Sequence, residues 1–181
     1  MLSKNFLYGK DKLTVESVIK ILDGKLDCLV GDEELLKINQ SRRSIINVLK
    51  SERNTYGVNT GIGVLCSTII SKEDSRLLQE NLLKSHAVGV GENVPFEISK
   101  LMLIIKVHSL CKGFSGISIE VIERICWHID NNIIPIVPSQ GSVGASGDLA
   151  PLSHLFLPLI GEGKVLYKGK EVESKKVLQK E

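Results

Sequence analysis

Aromatic side chains are scarce in this chain: four Phe, three Tyr and one Trp make up 4% of its 181 residues. A core built on rings is thereby excluded. The hydrophobic residues, 43% of the total, must fill it mostly with Leu, Ile and Val, at a length (residues 1–181) that fits one domain. Cysteine is thin as well. Cys28, Cys66, Cys111 and Cys126 stand far apart, with no Cys-x-x-Cys pair and no His at ligand spacing. This excludes a zinc framework and leaves reduced thiols of the cytosolic kind. Neither sign of charge prevails, because 23 Lys and Arg against 21 Asp and Glu give a net +2. Such a balance argues against nucleic acid or an anionic membrane as partner, and the lysine-rich stretch from Lys164 to Glu181 reads as solvated surface. No apolar run approaches the roughly 18 residues of a membrane span. Met1 to Lys10 also lack an apolar signal core, so a soluble, cytoplasmic protein is expected. Internal repeats and low-complexity linkers are missing too.

What the chain does have is clustered glycine. Gln140-Gly141-Ser142-Val143-Gly144-Ala145-Ser146-Gly147-Asp148 follows a short β-like run, Ile133 to Pro138, and precedes an apolar, helix-like run from Leu149 to Ile160. Gly141, Gly144 and Gly147 permit backbone angles and close approaches that a Cβ forbids. The enclosed Ala145-Ser146-Gly147 has a chemistry of its own. In a tight turn the Gly147 amide nitrogen reaches the Ala145 carbonyl carbon and closes a five-membered ring. Loss of water from that ring, and of the Ser146 hydroxyl, leaves an exocyclic methylidene, a strong electrophile. A small residue before Ser146 and a Gly after it are what the closure needs sterically. Commoner glycine motifs do not fit: there is no Gly-Lys-Ser/Thr for a phosphate loop, and the glycine spacing is not that of a dinucleotide fingerprint. A nucleophile elbow needs Gly-x-Ser-x-Gly, and here the last Gly comes one place early.

The rest reads as helices. Thr14 caps a first one with Val15, Val18, Ile19 and Leu22 on one face, ended by Asp23-Gly24. A second spans Asp32 to about Ser51 on a Leu35, Ile38, Ile45, Leu49 stripe, with Asp32, Glu33 and Glu34 at its favourable start. Residues 54–66 break the pattern as a Gly-rich loop that still carries Tyr56, Asn59 and Thr60, and Tyr56 is either a packed or surface tyrosine or a phenol for acid–base work. Ser71 caps a third helix, Lys72 to about Ala87, with Gly89 and Gly91 as its stop. His86 in its last turn is an electrostatic cap or a site residue. Pro95 suits a first-turn position of a helix running to Lys112, apolar nearly all round and therefore central, with His108 a hydrogen-bonded boundary residue. Ser118 caps the next, striped by Ile119, Ile122, Ile125, Cys126 and Ile129, with Trp127 and His128 off the stripe as an interface or surface pair. Asp148, as N-cap or as an aid to cyclisation, precedes the next helix, in which His154 serves packing. Lys164 to Val172 forms a β-hairpin with a Lys-Gly turn, and Ser174 opens a final helix.

The segment Gly141 to His154, GSVGASGDLAPLSH, closely resembles the signature of the aromatic amino acid ammonia-lyase family. Tyr56-Gly57-Val58-Asn59-Thr60-Gly61-Ile62-Gly63 is similar to a second family loop, with Ile62 in place of the usual Phe. Ser85-His86-Ala87-Val88-Gly89-Val90-Gly91 resembles the Ser-His segment of histidine-directed members. The resemblance implies a mainly α fold, the N-terminal part of the fumarase/aspartase-like helical fold. Its active-site loops are 54–66, 85–91 and 140–148. It implies a methylidene-imidazolone made autocatalytically from Ala145, Ser146 and Gly147, with no metal and no diffusible cofactor. Tyr56 becomes the catalytic base, His86 the substrate-binding residue, and Asn59, Gly63 and Asp148 supporting residues. L-histidine is then the substrate, losing ammonia to give urocanate, in a homo-oligomer that is a tetramer in the family. A free phenol titrates near about 10, so such a site has to stabilise the Tyr56 phenolate.

The family's chains are much longer, and their sites also use an Asn, a second Tyr, an Arg and a Glu from downstream segments, some from neighbouring subunits. The 181 residues alone are therefore expected to be inactive, to associate through exposed apolar surface, and even to fail to cyclise if packing does not strain the turn. Alternatives are a tyrosine or phenylalanine lyase or aminomutase of the same family, and a non-catalytic truncated interaction module.

Overall fold

The computed structural model describes residues 5–51, 54–63, 68 and 70–180; Cys66 and the end of the 54–66 loop lie outside them. The described chain is mainly helical. In order it runs β1 (Phe6–Tyr8), α1 (Val15–Leu22), β2 (Cys28–Val30), α2 (Asp32–Lys50), α3 (Lys72–His86), β3 (Val90–Asn93), α4 (Phe96–Leu110), α5 (Ile119–Asp130), β4 (Ile134–Pro135), β5 (Pro138–Gln140), α6 (Leu149–Phe156), β6 (Lys164–Tyr167), β7 (Lys170–Glu173) and α7 (Ser174–Leu178). Short strands tie the helices together: β1 lies parallel to β2, β3 antiparallel to β5, and β4, β6 and β7 form an antiparallel sheet. Lys168 and Gly169, at φ 51° and 74°, turn the hairpin between β6 and β7 with the left-handed pair that matches strand twist.

Helix α4 is central, packed against α5, α1, β1 and β4. Leu103, Ile104 and Val107 on it are almost wholly buried with Ile122 and Ile125 of α5. Its apolar surface is not closed all round, however. Ile98 and Ile105 remain 44% and 49% exposed, so the expectation of a fully enclosed helix holds for one face only. Pro95 stands one place before the helix rather than in its first turn, and the helix ends at Leu110, before Lys112. Lys100, unnoticed in the apolar run, is buried where two chain reversals meet, and its ammonium donates to Leu22 O and to Asn132 Oδ1, the latter at 2.6 Å. Burial lowers the Lys100 pKa from its ordinary value; Asp130 opposes this in part, and the carbonyl at the end of α1 is a favourable partner for the charge that remains.

The first helix is capped as expected. Thr14 Oγ1 accepts from the Ser17 amide, and Ser17 Oγ accepts from the Thr14 amide. Its buried residue is Ile21, whereas Val15 is 78% and Ile19 53% exposed. The apolar face read from spacing packs only in part: Leu22 lies against the core and Val18 is half-buried, while Val15 and Ile19 face outward and Ile21 beside them is covered. Gly9, at φ +83°, lies where a Cβ would stand 2.8 Å from the Cys111 carbonyl carbon. Gly9→Ala is expected to cost about 2 kcal/mol or more, since the strained angle and a backbone clash add. A urea titration matching wild type would contradict this.

His128 corrects another expectation. It does pair edge-on with Trp127, but rather than lying at an interface or surface it is 2% exposed, and its Nδ1–H donates to Ile133 O at 2.8 Å. The chain reverses at Asn132, φ 51°, and returns β4 over the ring. Burial pushes its pKa below the ordinary 6.5; the Ile133 hydrogen bond opposes this in part, and Arg124 adds a lesser push downward. His108, which accepts from Gly9 N, and His154 shift the same way through burial. The unfolded chain then binds protons that the folded chain refuses. Stability is full above about pH 6.5 and falls as the pH drops through the depressed folded values. Urea midpoints measured from about pH 7 down to about pH 5 should decline.

Among the described residues Cys28, Cys111 and Cys126 are free thiols; burial raises all three, Cys111 and Cys126 to about 12. No helix among the described residues is long and apolar enough to cross a membrane. No three His, Cys, Asp or Glu side chains among them converge as a metal-ligand set.

Candidate active site

Residues 144–146 form a single 3₁₀ turn, closed by Gly147 N–H donating to Gly144 O at 3.1 Å. Gly147 follows at φ 90° and Asp148 at φ 56°, two consecutive left-handed residues. A Cβ on Gly147 would meet nothing, so glycine is needed there for the backbone angle rather than for space. The turn is tight, and it points the Gly147 amide at the Gly144 carbonyl. Ala145, Gly147 and Asp148 are all exposed in this chain. Asp148 precedes α6, and its carbonyl accepts from Leu152 N, but its side chain caps nothing. Its carboxylate Oδ1 instead accepts from Ser142 Oγ across the mouth of the turn. Asp148 thus holds the expected N-cap position of α6 through its backbone carbonyl alone, and its carboxylate braces the loop instead. A left-handed backbone points the side chain away from the helix amides.

The 85–91 and 140–148 segments meet. Strand β3 pairs with β5 at Val90 and Gln140. A Cβ on Gly141 would lie 3.1 Å from Gly89 Cα, and one on Gly89 would lie 3.0 Å from His154 Nε2. These glycines were read as a helix stop and as loop freedom; in space they allow two backbones to touch. His86, half-buried at the end of α3, has Nδ1 at 2.9 Å from Leu82 O and 3.1 Å from Ser85 Oγ. A carbonyl can only accept, so the neutral ring carries its proton on Nδ1 and keeps Nε2 as an acceptor.

The third loop reaches the same place through Ile62. A cavity of about 380 Å³ is lined by Ile62, His86, Leu149 and Phe156 among mostly apolar neighbours. Around Tyr56 the loop is held by Asn59, whose Oδ1 accepts from Thr55 N at 2.8 Å, and by Ile70 N donating to Asn59 O. Tyr56 itself is 62% exposed, with its hydroxyl 3.4 Å from the Gly63 amide, and Gly63 takes φ +61°. Asn59 and Gly63 thus shape the loop that presents the phenol. His154, assigned to packing, turns out to bridge two site segments. Nothing in its periodicity marks it, since its partner is a backbone amide 65 residues away.

A family model described as aromatic amino acid lyase matches residues 13–181. The chain belongs to the aromatic amino acid lyase family. It is 40% identical over 173 residues to a histidine ammonia-lyase of Macrococcus caseolyticus, covering 96% of this chain and 34% of that one. Among solved structures it resembles an ergothionase of Treponema denticola, with a TM-score of 0.91 at 25% identity over 98% of this chain and 35% of that one. It also resembles a histidine ammonia-lyase of Trypanosoma cruzi, with a TM-score of 0.86 at 33% identity over 97% of this chain and 34% of that one. The chain thus spans about a third of the length of the curated relatives it matches. The mainly α lyase fold expected from the resemblance is the fold of these relatives.

Proposed function

We propose that these residues form part of the active site of an ammonia-lyase that releases ammonia from L-histidine to give urocanate. The observation that supports this reading is the junction of Gly89 with Gly141, which brings the His86 segment to the start of the loop that carries Ala145, Ser146 and Gly147. Two features support a fit of the turn to the family's methylidene-imidazolone: it is tight with a left-handed glycine as third residue, and the three residues are of the required kinds. Residues 145–147 would hold the group within the chain itself, where it supplies an electrophile that turns an α-amine into a leaving group.

The chain's own side chains supply the rest. Tyr56 takes the β-proton of the substrate onto its phenol oxygen. His86 offers Nε2 as acceptor to an imidazole N–H of the substrate, a match that a phenyl or phenol ring does not make. The apolar cavity beside it keeps water from that contact. Asn59 and Gly63 fix the Tyr56 loop, and Asp148 braces the turn through Ser142. In this reading the working form is a cytoplasmic homo-oligomer, a tetramer as in the family, and the 181 residues alone do not turn over.

Intact mass of the purified chain comes first: a matured turn is lighter by two water molecules than the sequence. Absorbance of the unsaturated acid each substrate would give, urocanate from L-histidine and the corresponding arylacrylates from L-tyrosine and L-phenylalanine offered separately, tests the rest. Turnover on histidine by the 181 residues alone would refute their expected inactivity, and preference for tyrosine or phenylalanine would refute the role of His86.

A further inference from the structure

Both ends of the Gly-rich turn are held by the same two residues. Before the turn, Gln140 pairs with Val90 across β3 and β5. After it, His154 on α6 accepts the Gly89 amide at Nε2, 2.9 Å away. Gly89 has no room for a side chain there, because a Cβ would press on the His154 ring and lie 3.1 Å from Pro138 Cβ. The His154 ring is half-buried, and burial lowers its pKa. An N–H donates to Nε2, so that nitrogen is bare and the ring proton sits on Nδ1.

We propose that His154 is a positioning residue that closes the turn. Its neutral, Nδ1-protonated imidazole accepts the Gly89 N–H and, with the Val90–Gln140 pair, holds residues 141–148 on one two-residue segment beside His86. The inference rests on the proposed function in one respect: the turn that it closes is the one assigned to ring formation. Ring closure compresses the turn, and a turn with both ends anchored cannot relax by spreading. Only Ala87 and Val88 separate His86 from Gly89, so the same anchor sets where the substrate imidazole is met relative to the turn. A phenyl ring at position 154 would fill the space yet accept nothing, whereas a glutamine places an amide oxygen near the Nε2 position.

The test uses the full 181-residue chain, as wild type, His154→Phe and His154→Gln. In the ¹⁵N-labelled wild type, the His154 Nε2 signal should be that of an unprotonated ring nitrogen. Hydrogen exchange at the Gly89 amide should rise about tenfold in His154→Phe and return to within about threefold of wild type in His154→Gln. The amides of Ile104 and Val107 should stay unchanged in both, which separates the anchor from a general loss of fold. Loss of the two waters, followed by intact mass, should slow about tenfold in His154→Phe and recover in His154→Gln, converting the same lost hydrogen bond into rate. A proton on Nε2, or a Gly89 amide that exchanges alike in all three chains, overturns the proposal. A glutamine variant as fast as the phenylalanine one does so too. A wild-type chain that keeps both waters while Gly89 responds as stated overturns the prosthetic group and leaves the anchor. Equal maturation in all three chains with Gly89 unmoved overturns the anchor and leaves the prosthetic group.

Discussion

Ser146→Ala should remove the signature of the matured turn outright. The wild-type chain is expected to be lighter than its sequence by two water molecules, and the variant by one at most. One water leaves when the Gly147 nitrogen joins the Ala145 carbonyl carbon; the other is the Ser146 hydroxyl leaving with its α-hydrogen. Alanine has no hydroxyl to lose, so the exocyclic double bond cannot form. A thiol or cyanide probe should then add to the wild-type chain and not to the variant. Wherever turnover is measurable, the substitution should lower it on the order of 10³-fold or more, as for other covalent catalytic groups. The tight turn with a left-handed Gly147 is the structural ground for this expectation. A Ser146→Ala chain that still loses both waters would exclude the ring chemistry.

Ile104→Ala should be the most damaging simple truncation in the core, at about 2–5 kcal/mol. Ile104 is 0% exposed, on the face of α4 that meets α5. Removing three carbons there leaves a void that close-packed neighbours fill only in part. Ile105, the next residue, is 49% exposed, and Ile105→Ala should cost no more than about 1 kcal/mol. The pair is informative because composition and hydropathy cannot tell the two isoleucines apart. Urea midpoints of both variants, with unchanged slopes, decide the matter. Equal losses would mean that α4 is not oriented as described.

The helices themselves were legible because their signals are local. Thr14 and Ser71 each accept the amide three residues on, and both caps stand where the sequence places them. The Lys-Gly hairpin turn at 168–169 was equally plain, since two positive φ angles are tolerated by few residue pairs. Family membership was legible as well, through the strings around Tyr56, His86 and Ser146, because ring formation from the chain admits few alternatives in residue type. Expectations failed where the deciding contact was distant. Val15 and Ile19 are as apolar as Ile21, and only the approach of α4 selects which is covered. His128 is buried because the chain returns over it at β4, and Lys100 because the chain reversals after α1 and α5 converge on its ammonium. The bond from Gly89 to His154, across 65 residues, leaves no periodicity to read. By itself, then, the sequence determined the helices, their caps and the chemistry of the glycine turn, all set by neighbours within a few residues. The tertiary structure alone decided which faces are buried and that the turn and His86 share one junction. Those outcomes depend on packing between segments whose separation along the chain carries no local signal.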